Sequence, residues 1–163
     1  MKDELRKVSL KNYIILAIVL LVSIGLLYYF YLWYSAYREN KLSISIMDRY
    51  MDKINYNELD NYLIENNDAI IYVSILNDEE IRSFEKDFKS LFKKKYIKYK
   101  VLYMDVTSDI DEFNKRYNGI HIPSIMTYSD RVLDSVYEID TDAYSLDSIK
   151  KYINSVVSDS EIE

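Results

Sequence analysis

The chain of 163 residues contains no cysteine, one histidine, one proline and two glycines. Without cysteine it has no disulfide, no thiolate metal ligand and no thiol nucleophile. A single histidine leaves too few ligands for the usual zinc sites, so no metal and no other cofactor is expected. No glycine-rich phosphate loop is present either. These absences exclude the common classes of thiol, zinc and nucleotide-binding enzymes.

The charge is distributed unevenly along the chain. Residues 1–12 carry four basic and two acidic side chains, whereas from residue 35 onward 17 Lys and Arg stand against 25 Asp and Glu. Nucleic-acid affinity comes mainly from neutralised phosphates, so nucleic acid is not expected as a partner of this acidic part. The length predicts one domain plus an appendage. The abundance of Ile, Lys, Asn and Tyr is typical of an AT-rich genome, and we expect a low-GC bacterium.

Residues 13–34, YIILAIVLLVSIGLLYYFYLWY, form the one long uncharged run. At about 1.5 Å per helical residue they span the ~30 Å core of a bilayer, which predicts a transmembrane helix and the lipid bilayer as a partner. Aromatic side chains crowd the far end and Tyr13 lies at the near end, as at membrane interfaces. The alternative is a cleaved signal peptide. We favour the anchor because the run is too long and aromatics occupy the place of a small-residue cleavage site.

The flanking charges predict the orientation. Four basic residues precede the run, and only Arg38, Lys41 and Arg49 fall within the 16 residues after it. This bias favours a cytoplasmic N-terminus, residues 1–12, and an extracytoplasmic domain on a single-pass cell-membrane protein. Residues 35–50 contain neither Pro nor Gly and are predicted to be a stalk or linker, and residues 158–163 an acidic tail.

Beyond residue 50 the apolar spacing alternates between the strand period and the helix period. Buried strands are predicted at 69–76 and 99–107, and a hairpin at 122–129 and 131–139. A short strand near Ile54 and helices over 59–63, 79–95, 110–117 and 146–156 complete the order β-α-β-α-β-α-β-β-α. The fold class is therefore α/β, with a mixed sheet and helices on both faces.

The helix over residues 79–95 has a clear apolar stripe. The stripe comprises Ile81, Phe84, Phe88, Leu91 and Phe92. Glu85 and the lysines of this helix are predicted to lie outside the stripe. Acids at its start and lysines at its end match the helix dipole, which is the simplest explanation of both runs.

Three stretches carry a family resemblance. They are IIYVSILNDEEIRSFEKDF, VLYMDVTSD and RYNGIHIPSIMTYSDRVLDSVYEI, followed by the terminal amphipathic helix. Residues 51–157 resemble the thioredoxin fold. Within it, the INYNEL stretch and the FE pair of the long helix resemble thioredoxin-like proteins related to bacteriocin transport accessory factors.

The resemblance implies a role for the triplet Ile122-Pro123-Ser124. In the family the proline at this place follows a cis peptide bond, a rare and usually deliberate feature. The residue before it, here Ile122, would offer its N–H and C=O groups to an extended peptide. The alternative is that Pro123 only starts an edge strand. His121 is expected to be an ordinary surface side chain.

The family's C-x-x-C pair would fall at Asp78 and Ile81, neither of which can perform thiol chemistry. Asp78 is better explained as a helix N-cap. The buried acid of many thioredoxins would fall near Tyr72 and is also missing. We therefore expect no redox activity.

The carboxylates after the second buried strand raise the question of another reaction. No Ser-His-Asp ordering or metal-binding spacing completes them. Ser108 or Asp109 more simply caps the next helix. No enzyme activity of any kind is expected.

Three hypotheses remain for the function. The first is a non-catalytic, membrane-tethered binding or scaffolding module that holds an extended peptide of an envelope partner. Its predicted partner-binding residues are Ile122, Pro123, Ser124, Asp78 and Ile81. The second is an accessory subunit of a thiol-disulfide exchange system that lacks its own redox cysteines, and the third is a structural spacer. The oligomeric state is not predicted.

Overall fold

A computed structural model of the chain describes residues 10–93 and 101–159. It divides into two units, Met1–Lys41 and Leu42–Glu163. The described residues of the first unit all belong to helix α1, Leu10–Leu42, which ends on the first residue of the second unit and in which no residue is buried. At about 1.5 Å per residue its 33 residues extend for roughly 50 Å. The helix is long and apolar enough to cross a membrane, and it continues beyond the predicted span on both sides.

The second unit contains five strands and four helices in the described part of the chain. The strands are β1 (Asp52–Ile54), β2 (Ala69–Ser74), β3 (Val101–Asp105), β4 (Ser124–Ser129) and β5 (Val132–Glu138). The helices are α2 (Leu59–Glu65), α3 (Glu79–Phe88), α4 (Ile110–Arg116) and α5 (Leu146–Asp159). Short 3-10 helices occur at Met47–Arg49, Tyr56–Glu58 and Lys89–Lys93. This element order confirms the sequence prediction, although residues 94–100, where the predicted helix ends and the predicted strand begins, lie outside the described residues.

The strands form one mixed sheet in the order β1-β3-β2-β4-β5. Strands β1, β3 and β2 are parallel, and β4 runs antiparallel to both β2 and β5. In the register, Val73 lies opposite Ser124, and Ser74 lies opposite Asp105. The carboxyl ends of β2 and β3 and the start of β4 therefore meet at one edge of the sheet.

Apolar side chains cover both faces of the sheet. On one face the central strands pack against α3 and α5 through Tyr72, Tyr103, Ile125, Phe84, Phe88, Ile149 and Ile153. On the other face they pack against α2 and α4 through Ile71, Val73, Met104, Met126, Leu59, Leu63 and Phe113. All six residues of β2 are buried. Strands covered on both faces read as continuous apolar runs, which explains why β2 could be located from its composition.

The predicted stalk belongs in part to the core of the second unit. Helix α1 ends at Leu42, and the chain then turns so that Ser45 and Met47 are buried. Met47 and Met51 are 0% and 2% exposed and join the aromatic cluster on the α3 face. Residues 35–50 are therefore not a uniform linker. A flexible thioether fills irregular space between aromatic rings, and two isolated methionines in a polar stretch give no periodic signal.

Candidate functional site

The candidate site lies at the sheet edge where β2 ends and β4 begins. Residues 75–78 join β2 to α3, and Ile122 and Pro123 lead directly into β4. The Ile122–Pro123 peptide bond is cis, as the resemblance implied. Gly119 approaches this point with a φ of 90°, in the region that glycine adopts without a steric penalty.

Hydrogen bonds fix the chain on both sides of Ile122. The His121 N–H donates to the carboxylate of Glu138 at 3.1 Å, and the Pro123 C=O accepts from the Ile139 N–H at 3.0 Å. Within the described residues, neither the N–H nor the C=O of Ile122 itself forms a hydrogen bond. Ile122 is half-buried and Pro123 is buried. An extended backbone segment could pair with the free groups of Ile122, as in β-augmentation.

Asp78 is the N-cap of α3, which confirms its predicted structural role. Its Oδ1 accepts a hydrogen bond from the Ile81 N–H at 2.9 Å, and its backbone is extended. The carboxylate satisfies one of the unpaired donors of the first turn. The side chain of Ile81 is only 4% exposed. The two positions that align with the missing cysteines are therefore a cap and a buried apolar residue.

Ser124 faces away from α3. Ser124 and Met126 are two residues apart on β4, so both side chains lie on the same face of the sheet, the one covered by α2 and α4. The residue is 0% exposed, and its Oγ has no hydrogen-bond partner in the part of the chain that the structure describes. Of the five predicted partner-binding residues, only Ile122 and Asp78 keep accessible side chains, and Pro123, Ser124 and Ile81 are buried.

The prediction that Glu85 lies outside the apolar stripe of α3 is wrong. Glu85 is 4% exposed, and its Oε1 accepts hydrogen bonds from the Tyr72 hydroxyl at 3.1 Å and the Ser74 hydroxyl at 2.8 Å. Its spacing from Ile81 and Phe88, four and three residues, is that of the stripe itself. The signal was therefore present, but a reading that counted only apolar residues excluded a glutamate.

The strand position expected for a buried acid holds Tyr72, but a carboxyl group reaches that place from α3. Burial is the largest effect on Glu85 and raises the pKa of its carboxyl group, which the Ser74 and Tyr72 hydroxyls and Arg82 partly oppose. Burial also raises the pKa of Tyr72 well above its ordinary value. Both groups are consequently held toward their neutral forms.

The loop before α3 and the first turn of that helix are held by hydrogen bonds to two other segments of the same chain. The Leu76 N–H donates to the Thr107 hydroxyl oxygen at 2.6 Å, and that hydroxyl donates to Asp105 at 2.6 Å. The Asn77 N–H donates to the Leu42 C=O at 3.3 Å, and Arg82 Nη1 to the Ile44 C=O at 2.6 Å. The site loop thus contacts the segment that begins the second unit.

Asp105, the last residue of β3, and Asp109 after it make structural contacts. Asp105 also accepts from the Thr107 N–H at 3.0 Å. Asp109 occupies the N-cap position of α4, but its side chain makes no capping bond and accepts from Asn57 at 3.5 Å instead. Among residues 10–93 and 101–159, no group of three or more histidine, aspartate or glutamate side chains is arranged to hold a metal ion.

No protein-family model matches the chain, and no curated protein matches it. Solved structures do. The J-Trx1 fragment of ERdj5 has a TM-score of 0.51 at 11% identity over 67% of this chain and 53% of that one. Mitochondrial thioredoxin 3 from Saccharomyces cerevisiae gives 0.48 at 16% identity, over 64% and 94%. Thioredoxin from Schistosoma mansoni gives 0.47 at 14%, over 64% and 94%.

At these identities the likeness concerns the fold alone. Together with the sheet order and the position of the cis proline, it shows a thioredoxin-like mixed sheet flanked by helices. The chain differs from an active thioredoxin in having no cysteine at any position.

Proposed function

We propose that this protein is a membrane-tethered, non-catalytic binding module that holds an extended segment of an envelope protein or exported peptide beside its cis proline. The observation that carries the proposal is that the N–H and C=O of Ile122 have no hydrogen-bond partner among the described residues, while both neighbouring residues are held by hydrogen bonds. A strand-like ligand would satisfy both groups through its main chain. Side-chain contacts at Asp78 and Ile122 would then add selectivity.

Main-chain recognition needs no thiol. In this chain the first turn of α3 is closed by the Asp78 carboxylate, so the Ile81 N–H is already used. The two positions that the resemblance implies for the cysteine pair are Asp78 and Ile81, and neither carries a thiol. The proposed module would therefore bind and release its ligand without changing it covalently.

The tether is proposed to be α1. Its 18-residue core has a mean hydropathy of 2.5, and the large apolar side chains between Leu10 and Tyr37 are exposed. Such a helix gains free energy by entering a bilayer rather than water. The basic residues before it favour a cytoplasmic N-terminus and a domain on the outer face. The resemblance to bacteriocin transport accessory proteins favours an exported peptide, or its transporter, as the occupant.

The proposal can be tested by photo-crosslinking in intact cells. A photoreactive amino acid at His121, which is exposed beside Ile122, should trap one discrete partner. The matched control is Val132, which is 67% exposed but lies at the opposite end of the β4–β5 hairpin. The adduct should form at His121, not at Val132, and should disappear in Pro123→Ala while the melting temperature shows that the domain is still folded.

The identity of the adduct separates the alternatives. A trapped peptide or envelope protein joined through an extended segment supports the binding module. A trapped protein with a C-x-x-C motif would favour the accessory subunit of a thiol-disulfide system. Equal trapping at both positions, or adducts only along α1, would contradict a function for this face.

A further inference from the structure

Among residues 10–93 and 101–157, Glu85 is the only buried Asp, Glu, Lys or Arg. Burying a carboxyl group costs free energy unless hydrogen bonds compensate it. The proposed function does not use Glu85, since a ligand at Ile122 does not need it. A costly buried group at this place therefore requires its own explanation.

The contacts of Glu85 join a helix to a strand. Tyr72 and Ser74 are two residues apart, so both side chains leave β2 on the same face. Both hydroxyls donate to one oxygen, Oε1. No described residue donates to Oε2. The carboxyl group is thus bound through one oxygen to two points on β2. These two hydrogen bonds favour the charged form, but burial favours the neutral form and is the larger effect.

The same contacts control the geometry of the candidate site. Glu85 lies four residues after Ile81 and seven after the N-cap Asp78 on the same face of α3. Val73, between the two hydroxyl-bearing residues, pairs with Ser124, which follows the cis proline. Fixing α3 on β2 therefore fixes the start of α3 relative to Ile122 and Pro123.

We propose that Glu85 is a positioning residue of the candidate site, and that its hydrogen bonds to Tyr72 and Ser74 hold the first turns of α3 in place beside the cis proline. Burial favours the neutral form of its carboxyl group. When the acid ionises, a charge is left buried with hydrogen bonds from two hydroxyls only, and the first turns of α3 separate from β2. The inference rests on the proposed function for what the site binds, but the positioning itself does not depend on any ligand.

The groups that face Glu85 determine its ionisation. Arg82 favours the charged form, but its Nη1 is bound to the Ile44 C=O rather than to the carboxylate. Asp105 at the end of β3 opposes the charged form, and the Tyr72 and Tyr103 hydroxyls are themselves held neutral by burial. Between the ordinary carboxyl pKa and the raised pKa of the buried Glu85, the closed site therefore retains a proton that the opened site releases.

Hydrogen–deuterium exchange on the full chain in detergent micelles tests the inference. Exchange of peptides covering residues 75–88 is measured from pH 5 to pH 8 and corrected for the intrinsic rate with an unfolded reference. Opening here means separation of the first turns of α3 from β2. If opening releases one proton, its equilibrium constant rises by up to about tenfold per pH unit at pH values between the ordinary carboxyl pKa and the pKa of Glu85 in the folded protein. In the wild type the corrected exchange should rise in this way until Glu85 is ionised in the closed state as well.

Three variants isolate the carboxyl group. Glu85→Gln keeps an acceptor for both hydroxyls and has no charge, so its corrected exchange should be low and independent of pH. Glu85→Leu leaves two buried hydroxyls unpaired, so its exchange should be raised roughly tenfold or more at every pH, again without a slope. Glu80→Gln removes an exposed acid from the same helix and should behave like the wild type.

A flat wild-type profile, or a slope that persists in Glu85→Gln, would overturn the inference. The crosslinking at His121 is a separate readout. A pH slope that depends on Glu85, together with no adduct at His121, would keep the positioning role and reject the peptide-binding function. An adduct at His121 together with a flat pH profile would keep the peptide-binding function and reject the positioning role of Glu85.

Discussion

Replacing Met47 with alanine tests whether the chain after α1 is part of the folded domain or a stalk. The Met47 side chain is 0% exposed and packs in the aromatic cluster on the α3 face. Truncating a buried methionine to alanine removes its transfer free energy and leaves a cavity, which together cost about 2–5 kcal/mol. Domains of this size have a total stability of only about 5–15 kcal/mol. The loss should therefore be large.

The matched control is Ile44→Ala in the same segment. Ile44 is 57% exposed, and its hydrogen bond to Arg82 is made by the backbone C=O, which alanine keeps, so the change should cost within about 0.5 kcal/mol. The free energy of unfolding is measured on the full chain in micelles by urea titration. Unfolding is followed by near-UV circular dichroism, from which the signal of a peptide of residues 10–42 in the same micelles is subtracted because α1 also contains Tyr and Trp. A loss below about 1 kcal/mol for Met47→Ala, or equal losses for both variants, would refute the account and restore the stalk.

Three further predictions concern the cap, the buried acid and the orientation. Asp78→Ala should lower the free energy of unfolding by about 1 kcal/mol because the Ile81 N–H loses its acceptor. Asp78→Asn keeps an acceptor and should cost little. Equal losses for the two variants in urea titrations would contradict the capping role. The folded-state pKa of Glu85 is raised above the ordinary value of 4.5, so its favourable contribution is complete below that pH and is lost as the pH rises through the folded-state pKa. Melting curves should show this loss in the wild type and not in Glu85→Gln, and a loss that persists in that variant would assign it to another group. Since the chain has no cysteine, single substitutions report topology without background. In intact cells Asn118→Cys should react with an impermeant maleimide and Lys2→Cys only after lysis, and the opposite pattern would place the domain inside.

Much of the fold could be predicted because its signals are local. The first five residues of β2, all buried, form a continuous apolar run, and the spacing of Ile81, Phe84 and Phe88 marks one face of a helix. The order of these elements then limits the topology to a few sheets. The cis bond before Pro123 was available only from the family resemblance, since nothing in local spacing distinguishes it from an edge-strand proline.

The missed features depend on contacts between distant residues. Glu85 is buried because Tyr72 and Ser74, 13 and 11 residues away, supply donors that its own neighbours on the helix do not. Met47 is buried because aromatic rings from other elements leave space for it. Tertiary partners decided both cases, and the local sequence pattern does not specify them. Ser124, one of the predicted partner-binding residues, has a buried side chain because the alternation of β4 places it on the α2 and α4 face.

The central claim is that the backbone of Ile122 pairs with an extended segment. The most direct test is the hydrogen-exchange rate of the Ile122 N–H in the full chain, alone and joined to the segment captured at His121. In the free protein this group has no partner among the described residues, so it should exchange quickly. In the complex its exchange should slow by about a hundredfold or more, as for an amide in a stable sheet, while amides at the Val132 end stay unchanged. An Ile122 N–H that exchanges at the same rate in both states would contradict the account.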